Sequence, residues 1–185
     1  MKKSHGTFFM NLKRIPFISA SSSSFSWKKA VRDVVILSAI VLGVSYYLHS
    51  DMAPGEAPIL SGITTQGKTI SLADKPKEPT LVYFWGTWCG YCSFTSPMVE
   101  NVAKDHPVIS VAIASGTNLE INQHMQDKGL AFPVINDSTS HITNRWGASG
   151  VPAIFIIDTD GNIAAKTTGP TSEWGLRLRL WWASL

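Results

Sequence analysis

Leu81-Val82-Tyr83-Phe84-Trp85-Gly86-Thr87-Trp88-Cys89-Gly90-Tyr91-Cys92 joins an apolar run to the chain's only two cysteines. The apolar part suits a strand covered on both faces of its sheet, where neither side of the pleat meets water. A strand that delivers Cys-x-x-Cys to a helix start sets the first thiol among unpaired N–H groups and the positive end of the helix dipole. Both favour the thiolate, which is the nucleophile of thiol–disulfide exchange. The reading expects a helix from Cys89 to about Lys104, with the second thiol one turn inside it and able to attack a mixed disulfide. Pro97 predicts a kink in that helix, because it lacks the N–H that the ladder needs. A purely structural bridge around two residues would remove little entropy from the unfolded chain. The pair therefore reads as catalytic.

Outward from this segment, apolar runs alternate with helical patterns. Val108–Ala114 is a second buried strand, and Asn118–Lys128 a helix that stops at Gly129. Phe132–Asn136 is a short extended piece and Ser138–Trp146 a short helix. Val151-Pro152-Ala153 opens the strand Ile154–Ile157, and Asp160-Gly161 turns it into a hairpin with Asn162–Thr168. Thr171–Leu185 is an amphipathic helix capped by Thr171 or Ser172, with Trp174, Leu178, Trp181 and Trp182 available to bury. Upstream, Ile59–Leu72 alternates around Gln66-Gly67 and reads as a β-hairpin. The order predicts an α/β domain with a mixed central sheet and helices on both faces.

Charge divides the chain. Residues 1–33 carry seven basic side chains against Asp33 alone, whereas the remainder carries nine basic and twelve acidic ones. The formal +3 therefore belongs to the N-terminal segment, and nothing in the body suggests a nucleic-acid surface. Val34–Leu48 follows with no charge. As a helix its 15 residues span only ~22 Å of a ~30 Å hydrocarbon core. Extension to Val31–Ser50 gives 20 residues, with Arg32 snorkelling on one side and Tyr46 and Tyr47 near the other interface. The basic flank points to an uncleaved signal anchor with its N-terminus in the cytoplasm. A cleaved signal peptide is the alternative, although Pro54 hinders the one small-residue site, which ends at Ala53. The expected division is a basic tail at 1–33, an anchor at 34–50, a linker at 51–58 and a domain at 59–185. In a bacterium this topology puts the anchor in the inner membrane and the domain in the periplasm.

From Ile59 to the C-terminus the chain resembles the thioredoxin superfamily. Phe84-Trp85-Gly86-Thr87-Trp88-Cys89-Gly90-Tyr91-Cys92 looks like the active-site segment of membrane-anchored, TlpA-like disulfide oxidoreductases. Pro97 falls where that group kinks its active-site helix, and Ser149-Gly150-Val151-Pro152 where it carries a cis-proline loop. The hairpin resembles the group's N-terminal β-extension, and residues 118–145 its central helical insertion. The basic tail, the single anchor and Thr87-Trp88-Cys89-Gly90 are most similar to the anchored thioredoxins of bacterial copper-sensitivity-suppressor operons.

The resemblance implies a thioredoxin-like fold and a redox-active Cys89–Cys92 disulfide, with no cofactor and no metal. Trp88 would cover the Cys89 sulfur, while Gly90 and Tyr91 would set the turn and the redox poise. Val151 would pair with the substrate strand, and Pro152 would keep a metal from bridging the thiols. No histidine separates the cysteines, which leans away from the strongly oxidising relatives near about −120 mV and towards a reductant. The implied partners are periplasmic protein disulfides and a transmembrane electron donor of the DsbD/ScsB type.

Two departures concern proton transfer. The chain has Tyr83 where thioredoxins carry an aspartate, and Thr95 where several reductases of the group carry a glutamate. The base for Cys92 is thus unassigned, with Glu120 and Asp137 of the insertion as candidates. His5, His49, His106, His124 and His141 form no ligand pattern. A reductase for apocytochrome c maturation is the rival enzyme. A Cu(I) protein using the two soft thiolates is the rival outside enzymes.

Overall fold

A computed structural model describes residues 27–49, 55–72 and 75–185. The chain divides into two units, Met1–Ile40 and Val41–Leu185. Helix α1 spans Trp27–His49. Among the described residues no helix is long and apolar enough to cross a membrane. The tail up to residue 26, Ser50 and the linker residues 51–54 lie outside the described residues, as do the side chains of 41–49 in the expected anchor.

The larger unit is built on a five-stranded sheet in the order β5-β4-β3-β6-β7. Its strands are β3 Thr80–Trp85, β4 Val108–Ile113, β5 Val134–Asp137, β6 Ala153–Ile157 and β7 Ile163–Thr168. β3 pairs in parallel with β4 and β4 with β5, while β6 runs antiparallel to both β3 and β7. The sheet is mixed, as expected, and every residue of β3, β4 and β6 is buried. Such strands need helices on both faces, and the two-residue side-chain period divides them between two cores.

Leu81, Tyr83 and Trp85 point into one core, with Val99 and Val102 of α2 (Cys92–Val102), Ile121 and Met125 of α3 (Asn118–Asp127), and Leu176 and Leu180 of α5 (Glu173–Ala183). Val82 and Phe84 point into the other, with Trp146 after α4 (His141–Arg145) and Leu60 beside the hairpin β1 Ser61–Ile63 and β2 Thr69–Ser71. That hairpin turns at Gly67, whose φ of 82° suits glycine. It also leans on the sheet edge, where Gly62 is so close to Ile135 that a Cβ would meet that side chain at 2.9 Å.

Two expected elements shift. The active-site helix starts at Cys92, not Cys89, because residues 89–92 form a tighter turn in which the Cys92 N–H donates to the Cys89 carbonyl. The second cysteine is therefore the first residue of the helix rather than one turn inside it. The last helix buries Leu176 and Leu180, while Trp174, Leu178, Trp181 and Trp182 are exposed. Its rotation is fixed by Leu176 and Leu180 in the α2 core, and by Arg177, which donates to Asp105 at 2.6 Å and to Glu173 at 2.8 Å. Ser172 is its cap, accepting from the Gly175 N–H at 3.2 Å.

Candidate active site

The end of β3 delivers the cysteines to the carboxyl edge of the parallel strands. Cys89 and Cys92 are joined by a disulfide, with Cα atoms 5.3 Å apart. Cys89 is 7% exposed and Cys92 only 2%. Cys89 is the more exposed of the two, which favours it as the attacking thiol. The Cys92 N–H, the first donor of α2, lies 3.1 Å from Cys89 Sγ. A backbone donor aimed at that sulfur stabilises negative charge on it, and the α2 N-terminus adds its dipole. The helix-start argument thus survives the shift in boundary.

Opposite the pair is the loop before β6. The Val151–Pro152 peptide is cis, and the Val151 carbonyl oxygen lies 3.7 Å from Cys89 Sγ. Pro152 is buried, and its own carbonyl accepts from the Gly169 N–H at 2.8 Å, which ties the loop to the end of β7. Val151, 62 positions from Cys89, is thereby brought to its sulfur.

In and next to the cysteine segment Trp88, Tyr91 and Phe94 are 62%, 66% and 72% exposed, three apolar side chains left to solvent. Trp88 is fixed rather than loose. Its indole N–H donates to the Ile113 carbonyl at 3.1 Å, and the Thr87 N–H donates to Ser115 Oγ at 3.1 Å. Ser115 in turn donates to the same Ile113 carbonyl at 2.9 Å. The end of β4 therefore clamps the residues before Cys89. Phe94 and Ser115 were not read as site residues from sequence, since neither belongs to a motif. Gly86 makes room for the indole, because a Cβ there would lie 2.7 Å from Trp88 Cε2 and Nε1. Gly90 has no such role, as a Cβ there would meet nothing within 4 Å.

Behind the disulfide is a base-poor interior. The Tyr83 hydroxyl shares a 3.0 Å hydrogen bond with Ser96, and burial raises its pKa far above the ordinary phenol value, so it stays protonated. Thr95 is buried and donates to the Tyr91 carbonyl at 3.4 Å. The two candidate bases of the insertion are spent elsewhere. Glu120 accepts from the Thr117 N–H and hydroxyl at 2.7 and 2.8 Å and closes a capping box on α3, which also lowers its pKa. Asp137 accepts from the Thr143 N–H and hydroxyl at 2.8 and 2.7 Å and so holds α4. Both are helix anchors.

Comparison with known proteins agrees with this chemistry. The Redoxin family pattern matches residues 49–175. A thioredoxin-like protein of Haemophilus influenzae is 35% identical over 146 residues, covering 78% of this chain and 87% of that protein. The thiol-disulfide oxidoreductase ResA of Bacillus subtilis is 27% identical over 150 residues, covering 75% of this chain and 84% of ResA. Among solved structures, a putative thioredoxin from Neisseria meningitidis superposes with a TM-score of 0.62 at 26% identity, covering 71% of this chain and 91% of its own. With the paired cysteines at the mouth of this fold, the chain belongs to the Redoxin family, among its thioredoxin-like thiol–disulfide oxidoreductases.

Proposed function

We propose that this oxidoreductase is a membrane-anchored, periplasmic reductant of protein disulfides. The observation that carries the reading is the setting of Cys89 Sγ, with the Cys92 N–H at 3.1 Å and the Val151 carbonyl of the cis-proline loop at 3.7 Å. Cys89 attacks a substrate disulfide, and the electron pair of the broken bond leaves on the far substrate sulfur. Cys92 then attacks Cys89, forms the Cys89–Cys92 disulfide and releases the second substrate sulfur. The substrate gains two electrons and the pair loses two. The rim of Trp88, Tyr91 and Phe94 receives the apolar residues around the substrate cysteine, and the Val151 backbone pairs with the substrate segment as an added strand.

The anchor is supported by the charge asymmetry of the first 33 residues and by the apolar run after it, whose described side chains Val34, Val35, Ile36, Leu37 and Ile40 are exposed on α1. A domain outside the cytoplasm has no adjacent pool of reduced cofactor. It therefore takes electrons from a transmembrane dithiol donor, of the DsbD/ScsB kind. The likeness of the tail and of Thr87–Gly90 to the copper-sensitivity-suppressor thioredoxins supports a part in copper tolerance.

Trapping tests the reading. Cys92→Ala expressed in cells should accumulate mixed disulfides through Cys89 that dithiothreitol releases, while Cys89→Ala should trap nothing. An empty Cys92→Ala trap refutes the exchange reading.

A further inference from the structure

One face of the disulfide lines a partly open cavity that does not include the Val151–Pro152 loop. There α2, the end of β3 and α3 border a cavity of about 40 Å³, lined by Cys89, Cys92, Ser93, Ser96, His124 and Lys128 among others, with Ser93 and Lys128 also reaching solvent. A volume of ~10–15 Å³ already holds a water when polar groups surround it. Two serines, a histidine and a lysine supply those groups here. His124 comes from the insertion helix α3, half-buried, with its ring tilted against Trp85 at a centroid distance of 5.7 Å. Trp85 is itself held by its N–H to Ser110 Oγ at 3.2 Å, so the imidazole rests on a fixed wall.

We propose that His124 is the proton acceptor for the resolving thiol, reached through a water in this cavity. The inference rests on the exchange reading above. Cys92 is only 2% exposed, and neither Tyr83 nor Thr95 supplies a base. No carboxylate lines the cavity. The titratable groups facing His124 there are the two cysteines and Lys128, and Asp127 lies on its own helix. Burial, then the Lys128 charge, lower the His124 pKa below its ordinary value, with Asp127 opposing. The ring is consequently neutral at pH 7 and ready to accept. In the step, the Cys92 S–H proton passes through the water to an unprotonated ring nitrogen of His124. Cys92 sulfur attacks Cys89 Sγ, the Cys89–Cys92 bond forms, the Cys89–substrate bond breaks, and the substrate sulfur leaves with the electron pair. That sulfur or solvent takes up the proton that His124 gives back.

The experiment uses the reduced full-length chain and a chromogenic aryl disulfide, which releases one aryl thiolate when Cys89 attacks and a second when Cys92 resolves. In the wild type the second phase should follow neutral His124, with a limb below about pH 6.5 and a plateau above it. His124→Gln should slow the second phase about 10²-fold at pH 7 and abolish the limb, leaving the first phase unchanged. His124→Ala should regain rate with added imidazole. A wild-type second phase with no limb below pH 6.5, or an unchanged profile in His124→Gln, overturns the assignment while exchange itself stands. Absence of any second phase in the wild type overturns the exchange reading, and this inference with it. The wild-type profile decides even where a variant does not fold.

Discussion

Gly86→Ala isolates the docking rim from the redox chemistry. A Cβ at position 86 would sit 2.7 Å from Trp88 Cε2 and Nε1 and 3.2 Å from Cζ2, where ordinary contact begins at 3.4 Å. The indole has to give way, and its exposed side lets it swing outward. The movement breaks the 3.1 Å hydrogen bond to the Ile113 carbonyl, a loss of about 0.5–1.5 kcal/mol. Gly86 needs no positive φ, so alanine also restricts the unfolded chain and returns about 0.4–1 kcal/mol. Global stability should therefore change by less than about 1 kcal/mol. Docking should suffer the whole loss of the clamped rim, up to about tenfold in kcat/KM if some 1.4 kcal/mol of rim contact is lost. The assay is reduction of a disulfide-linked peptide with aromatic flanks, alongside the reduction potential and a urea denaturation midpoint. Potential and midpoint should stay near wild type, and Gly86→Ala combined with Trp88→Ala should equal Trp88→Ala alone. Full kcat/KM in Gly86→Ala, or additive losses in the double variant, would show that the rim does not work through this packing.

Two further outcomes test the scaffold. Trp146 is fully buried with its indole N–H unpartnered among the described residues, packed on Phe155 at 5.0 Å and Phe84 at 5.6 Å. Trp146→Phe removes that orphan donor while leaving a small cavity, so its urea midpoint should imply a change of about 1 kcal/mol or less rather than the ~3–5 kcal/mol of a lost core aromatic. A larger loss would mean that the N–H has a partner. Arg177 holds the Asp105 and Glu173 carboxyls below their ordinary values, chiefly through its hydrogen bonds to them. Depressed carboxylate values add stability above the unfolded pKa that disappears as pH falls through the folded one. The Tm difference between wild type and Arg177→Ala should therefore be larger at pH 7 than at pH 2.5, and an equal difference at both would refute the ion-pair account.

Much of this architecture was legible because local and global signals agree. Thr80–Trp85 reads as a doubly buried strand and is one, and Gly129 at φ 64° ends α3 where its glycine signal lies. The α5 phase was not legible. Trp174, Leu176, Leu178, Leu180, Trp181 and Trp182 spread apolar side chains over more than one face, so periodicity alone does not choose between them. Tertiary contact does, through the core under Leu176 and Leu180. At the site, Cys89, Cys92 and Pro152 were visible as motifs. His124 and Ser115 were not, because their meaning arises only when α3 and the end of β4 fold against the residues after β3.

The near-complete burial of Cys92 also bears on how the pair withstands an oxidant. A peroxide that reaches the pair meets Cys89 first and converts it to a sulfenic acid, which a neighbouring thiol condenses into a disulfide. Cys92 is that neighbour, one turn away and shielded from the oxidant itself. Oxidative damage is thus diverted into the same bridge that each catalytic cycle produces, from which ordinary thiol exchange recovers the pair. The irreversible rungs of sulfur oxidation are reached only if a second oxidant molecule arrives before that condensation.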